Sequence, residues 1–237
     1  MTGNWLHATP ASPAPRRWLA MLLILAATVV VGPTMFRELK PRDVPGTSAL
    51  LATSANNRTE DIELILDHPI WGQFLGDGEV VPPEARAVRL GAAIADFELR
   101  FMRADTSARA SATHVIELLQ TFPRSEDAVR AYQSLGASPD GVELARASQA
   151  AERVGNRRLV RLGSWLRSAR YAAASADSSI FDIETVRSVS QAAITSDARP
   201  ETEFAVRQFE AIARKRPYDW TALGTGVNEL LRRLGSR

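Results

Sequence analysis

The 237 residues contain no cysteine, which excludes thiol catalysis, disulfides and Cys-ligated zinc while leaving both sides of a bacterial inner membrane open as a compartment. Lysine is nearly missing too. Lys40 and Lys215 are the only lysines among 29 basic residues, so the other 27 are Arg, and with abundant Ala this reads as the composition of a GC-rich bacterial genome. Histidine occurs three times, as His7, His68 and His114. None has a second His four residues away, so there is no helical metal pair. His114 reads as an exposed or half-buried helix residue, and His68, with Asp67 and Asp77 nearby, as part of a polar segment. Neither a metal site nor a cofactor is expected.

Charge is absent from one long run. From Trp18 to Phe36 the chain reads WLAMLLILAATVVVGPTMF, nineteen residues without a charged side chain, close to the roughly 20 that cross the hydrocarbon core of a bilayer. No small-x-small cleavage site follows at the usual distance, so the segment reads as an uncleaved anchor rather than a signal peptide. Within it, Ala26, Ala27, Thr28 and Gly32 offer a strip of small residues for contact with another membrane helix. Arg16 and Arg17 precede the span, and Arg37, Lys40 and Arg42 follow it. A strict count of flanking charges would keep the body in the cytoplasm. A signal anchor commonly carries a long C-terminal domain across, and the expected arrangement is single-pass in a bacterial inner membrane with a periplasmic body.

A charge of one sign is also lacking where it would matter. Residues 37–237 hold 27 basic and 27 acidic groups, a neutral balance that argues against a nucleic-acid surface. Long alternating runs rich in β-branched residues are missing as well, leaving helices as the expected element. The organisation predicted is an arm over 1–17, the transmembrane anchor over 18–36, a Pro- and Asn-bearing linker over 37–58, and an all-α body over 59–237.

What is present in the body is helical periodicity. Leu90, Ile94, Phe97 and Phe101 recur at spacings of four, three and four on a helix expected over 84–103. Comparable stripes are Ala112, Val115, Ile116 and Leu119; Ala128, Val129, Tyr132 and Leu135; and Leu159, Leu162, Leu166 and Ala169. Three more run from Ile183 to Ala193, from Ala205 to Ala213 and from Trp220 to Leu234, and with a short helix expected over TEDIELIL (59–66) and a segment opened by Pro139 the body holds eight or nine helices. Pro123, Pro139, Pro200 and Pro217 each open a periodic segment, where a missing N–H costs nothing. Ser138 and Asn156 are candidate N-caps, and Gly136 and Gly155 candidate stops.

Residues 122–136, FPRSEDAVRAYQSLG, resemble the junction between two repeats in tetratricopeptide-repeat proteins of the membrane-anchored bacterial envelope type. Phe122-Pro123 ends one hairpin, Ser125 stands at the next helix start, and Ala128, Ala131 and Leu135-Gly136 occupy the small and apolar positions. A weaker echo lies in FEAIARKRPYDWTALG, residues 209–224, so the resemblance covers about a third of the chain. It implies a helical-hairpin bundle or short solenoid that binds proteins, with small residues letting paired helices approach and the aromatic filling the gap between hairpins.

Catalytic motifs do not emerge. GQFLGDG (72–78) and GTG (224–226) have no preceding strand and no Lys-Ser/Thr, and Ser164 in GSWLR lies inside a helical stripe without a nucleophile elbow. The acids alternate with Arg as on a solvated helix face. Ile70, Trp71, Phe74 and Leu75 fall in an irregular, glycine-bounded segment and read either as a cap on the body or as a partner-docking loop. The expected function is that of a non-catalytic interaction module, an accessory or structural subunit or assembly factor of a larger membrane complex. Its partners would be other membrane or envelope proteins and the lipid bilayer, not nucleic acid. The alternative is a membrane-tethered helical hydrolase or transferase whose site is not recognisable.

Overall fold

The computed structural model describes Val44 and residues 60–67, 81–135 and 141–236, all within the unit Arg42–Arg237. These residues form helices and no strands. In chain order the helices are α1 (Glu60–Asp67), α2 (Pro83–Met102), α3 (Ala108–Gln120), α4 (Glu126–Gln133), α5 (Gly141–Val154), α6 (Arg157–Ala174), α7 (Ile183–Ser196), α8 (Pro200–Ala213) and α9 (Trp220–Gly235). None of them is long and apolar enough to cross a membrane. The expected anchor at 18–36, with Ala26, Ala27, Thr28 and Gly32, lies outside the described residues.

Helix starts follow the punctuation in part. Asn156 Oδ1 accepts from the Arg158 N–H at 3.1 Å and caps α6, and Pro200 occupies the first turn of α8. Asp182 and Asp219 cap α7 and α9, each accepting a backbone N–H at 2.9 Å. Pro123 and Pro217, expected at helix starts, lie instead in the turns ahead of Glu126 and Trp220. Helix α4 also ends sooner than its stripe. The Ser134 hydroxyl bonds back to the Ala131 carbonyl at 2.9 Å and the Leu135 N–H to Tyr132 O at 3.3 Å, tightening the last turn and leaving Leu135 half-buried beyond the helix rather than on its inward face.

Helices α2 and α6 form the axis of the body and make its most extensive contact. A Cβ on Gly91 would stand 1.8 Å from the Val160 carbonyl oxygen, and one on Gly163 only 2.0 Å from the Val88 carbonyl oxygen. Each helix therefore presses a glycine onto the backbone of the other. The remaining elements wrap this crossing: α9 on both central helices, α3 on α2, α4 and α5 on each other, and α7, α8 and α9 in succession. The arrangement is a bundle around a central pair that is distant in sequence. It also corrects the single-face reading of residues 84–103, because Ala85, Ala92, Ala95 and Leu99 are buried together with Leu90, Ile94 and Phe97. The helix is buried on two opposite faces, and Arg86, Asp96 and Arg100 stay half-buried along the strip between them.

The packing differs along the axis. Trp165 of α6 meets Phe181 and Phe209 edge-on, each at 6.3 Å between ring centroids, and Phe181 continues to Tyr218 at 6.0 Å. A smaller core joins Ile62, Ile65 and Leu66 of α1 to Ala95, Leu99 and Tyr171. Phe122 is buried against Gly155, where an added Cβ would approach its ring at 3.2 Å, and lies under Arg86 at 5.4 Å. Both central helices end on an alanine in the left-handed region, Ala104 at φ 52° and Ala176 at φ 55°. In each case the next N–H reaches back five residues, Asp105 to Arg100 O and Asp177 to Ala172 O, the bond pattern usually built on glycine.

Gly226 lies inside α9, and a Cβ there would meet Phe209 at 3.7 Å, an ordinary contact. Gly226→Ala is therefore expected to raise stability by about 0.5–1 kcal/mol through helix propensity, a gain of roughly 1–4 °C in Tm. A drop in the calorimetric midpoint would mean that α8 and α9 pack more tightly than described.

Candidate functional site

Of the residues singled out from sequence, the docking candidates Ile70, Trp71, Phe74 and Leu75 lie outside the described residues, as do His68 and Asp77. His114 is exposed on α3, 3.7 Å from Glu117. Ser164 is buried in α6 and Gly224 and Gly226 lie inside α9. Among the described residues no three His, Cys, Asp or Glu side chains are grouped to hold a metal. The structure draws attention instead to two acids of α2, Asp96 and Glu98.

Asp96 forms a bidentate pair with Arg167 of α6. Arg167 Nε donates to Oδ1 at 2.5 Å and Nη2 to Oδ2 at 2.9 Å, while the Tyr171 hydroxyl donates to Oδ1 at 2.5 Å. Arg167 is only 1% exposed. Burial works against its charge, but the Asp96 carboxylate more than restores it, and the guanidinium is held above its ordinary pKa. Burial also pushes the Tyr171 phenol well up. The same Nη2 donates to the Ile65 carbonyl at 2.9 Å, and Arg100 Nη2 donates to the Leu66 carbonyl at 2.7 Å. Two arginines from two helices thus satisfy the last carbonyls of α1 and favour its negative end. Arg86 does the same for Thr121 O after α3 at 2.5 Å, and Arg89 for Gly235 O at the end of α9. Part of the arginine excess is structural.

Glu98 is the second cluster. Its side chain is buried at 2% exposure, beside Ser148 of α5 and Tyr132 of α4. The Ser148 hydroxyl donates to Oε1 at 2.5 Å, but Oε2 has no hydrogen bond, nor does the buried Tyr132 hydroxyl have one of good geometry. No cation pairs with Glu98 among the described residues. Burial pushes its pKa up to about 7; the Ser148 bond opposes this, and the nearby Glu152 carboxylate adds to it. Glu152 itself is committed elsewhere, to Arg161 at 3.0 Å and Arg157 at 3.2 Å. Tyr132 packs edge-on against Phe97, 5.6 Å between centroids, so one wall of the cluster is aromatic.

On sequence alone Asp96 and Glu98 read like the other acids, as part of a solvated face. Their signal lay in the neighbours: LGAAIA, residues 90–95, is small and apolar over more than one full helical turn, which marks a helix covered on opposite faces. Comparison with protein-family models, with curated proteins and with solved structures finds no match to this chain.

Proposed function

We propose that the chain is a membrane-anchored, non-catalytic interaction module, an accessory or structural subunit or an assembly factor of a larger membrane complex. The observation that carries this reading is the uncharged run at 18–36 set ahead of an all-helical body with a core of its own. An anchor confines such a body to a surface, where its helices can meet other membrane or envelope proteins. The hairpin-junction phrase at 122–136 supports the same reading: Phe122 fills the space between α2 and the α5–α6 turn. The test is purification of the full chain in mild detergent. The expected result is membrane fractionation together with co-purifying proteins in fixed ratio, lost when Trp71→Ala and Phe74→Ala are combined. Recovery from the soluble fraction as a lone species would sink the reading.

A membrane-tethered hydrolase or transferase has one observation in its favour. Glu98, Ser148 and Tyr132 set a carboxyl group titrating near neutrality beside two hydroxyls, the kind of perturbed group that catalysis uses. Glu98 is nevertheless covered, and a substrate reaches it only if α4 and α5 move.

A further inference from the structure

The α4–α5 hairpin is held to the central pair by little apolar surface. Helix α4 buries Ala128 and Tyr132, and α5 buries Leu144, Ala147 and Ala151. Three of these five are alanines, which remove little area from water. By contrast, α6 is buried along most of its length, with Trp165, Leu162 and Leu166 in the core. At the seam between the hairpin and α2 stands Glu98, tied to Ser148 through one oxygen, with its other oxygen buried and without a hydrogen bond and the Tyr132 hydroxyl buried without one of good geometry.

We propose that Glu98 is a proton-operated latch for the α4–α5 hairpin, which stays closed on α2 while the carboxyl group is neutral and opens when it ionises. Ionisation places a charge in the seam with one hydrogen bond and no counter-charge, and lifting the hairpin returns that charge to water. The groups facing Glu98 reinforce the effect. From α5 come Ser148 and Glu152, the latter a like charge; from α4 comes Tyr132, itself held neutral by burial. Arg161 and Arg157 of α6 are bound to Glu152 and not to Glu98. From α1, α3 and α9 no charged group among the described residues acts on it. Opening would uncover the α2 face around Phe97 and Glu98, an apolar surface with one acid, at the place where the chain resembles a protein-binding repeat.

The direction with pH follows from the shift. Glu98 has a folded value of about 7 against an ordinary 4.5, so the closed state is fully favoured below about 4.5 and the advantage is lost as pH rises through about 7. The gap between those two values corresponds to at most roughly 300-fold in the ratio of closed to open over the whole pH range.

Hydrogen exchange of the full chain in detergent micelles at pH 5.5 and pH 8, corrected for intrinsic exchange rates, tests this. Protection of α5 amides is expected to fall by up to roughly 30-fold at the higher pH, the rest of the change lying below pH 5.5 where the open state begins to ionise, to a level well below that of α2 and α6. In Glu98→Gln, which keeps the shape of the neutral acid, α5 protection should be independent of pH. Glu98→Leu, which cannot titrate either, should behave alike and serves if the glutamine variant folds poorly. Unchanged α5 protection in the wild-type chain, persistence of the pH dependence in both variants, or equal protection of α5, α2 and α6 at pH 8 would each overturn the proposal.

Discussion

Replacing Gly163 by alanine is expected to lower the stability of the body by about 3 kcal/mol, at the upper end of what overpacking a core costs, and its Tm by roughly 6–12 °C. The added carbon would fall 2.0 Å from the Val88 carbonyl oxygen and 3.0 Å from its Cα. Both are backbone atoms, so no rotamer change relieves the clash and the two central helices must separate. Gly91→Ala should act alike, because its Cβ would meet Val160 O at 1.8 Å. The two substitutions strain one contact, and a crossing widened for the first already has room for the second. Their combined loss should therefore be smaller than the sum. Gly141→Ala, with nothing within 4 Å, is the control and should leave stability unchanged or slightly raised. Urea midpoints for the four variants decide the matter. A Gly163→Ala midpoint indistinguishable from wild type would mean that the crossing is not the close contact described.

That crossing also marks the limit of what the sequence reveals. Periodicity found the helices because the spacing of Leu90, Ile94, Phe97 and Phe101 is a local property, and residues 84–103 were placed within one residue of α2. Pairing is not local. Gly91 and Gly163 are isolated glycines in otherwise good helical patterns, and each alone reads as a mild defect in propensity. Only when α2 and α6 are brought together do they form one contact. Helix ends were hidden for a different reason. Ala104 and Ala176 occupy left-handed positions where glycine would have announced a stop, so nothing in the composition distinguishes them from helical alanines. Asp96 and Glu98 escape a reading of the sequence because an acid in a chain rich in Arg looks solvated until its surroundings are known. With Phe97 between them, the two acids point to different neighbours of an enclosed helix, one to a guanidinium and one to a hydroxyl.

The difference between those two acids sets the last expected result. Asp96→Ala leaves the Arg167 guanidinium almost wholly buried, with the Ile65 carbonyl and the Tyr171 ring beside it but without its carboxylate, and removes the acceptor of the Tyr171 hydroxyl. Breaking a buried pair from one side costs about 3–5 kcal/mol, and the lower end applies because the Asp96 side chain is 19% exposed and water can follow the truncation. Arg167→Met should cost less, about 1–3 kcal/mol, since the carboxylate left behind can turn toward solvent while the thioether chain refills the space. Combining the two removes both charges together, and the double variant should be more stable than Asp96→Ala alone, although it still lacks the cap on α1. Protease sensitivity within 60–67 should rise in every variant that loses Arg167 or frees it from Asp96, because the guanidinium connects the end of α1 to α6. Urea unfolding measures the first effect and limited proteolysis the second. If Asp96→Ala and the double variant unfold at the same urea concentration, the unpaired charge is not what destabilises the protein, and the loss of the Tyr171 acceptor is left as the cause.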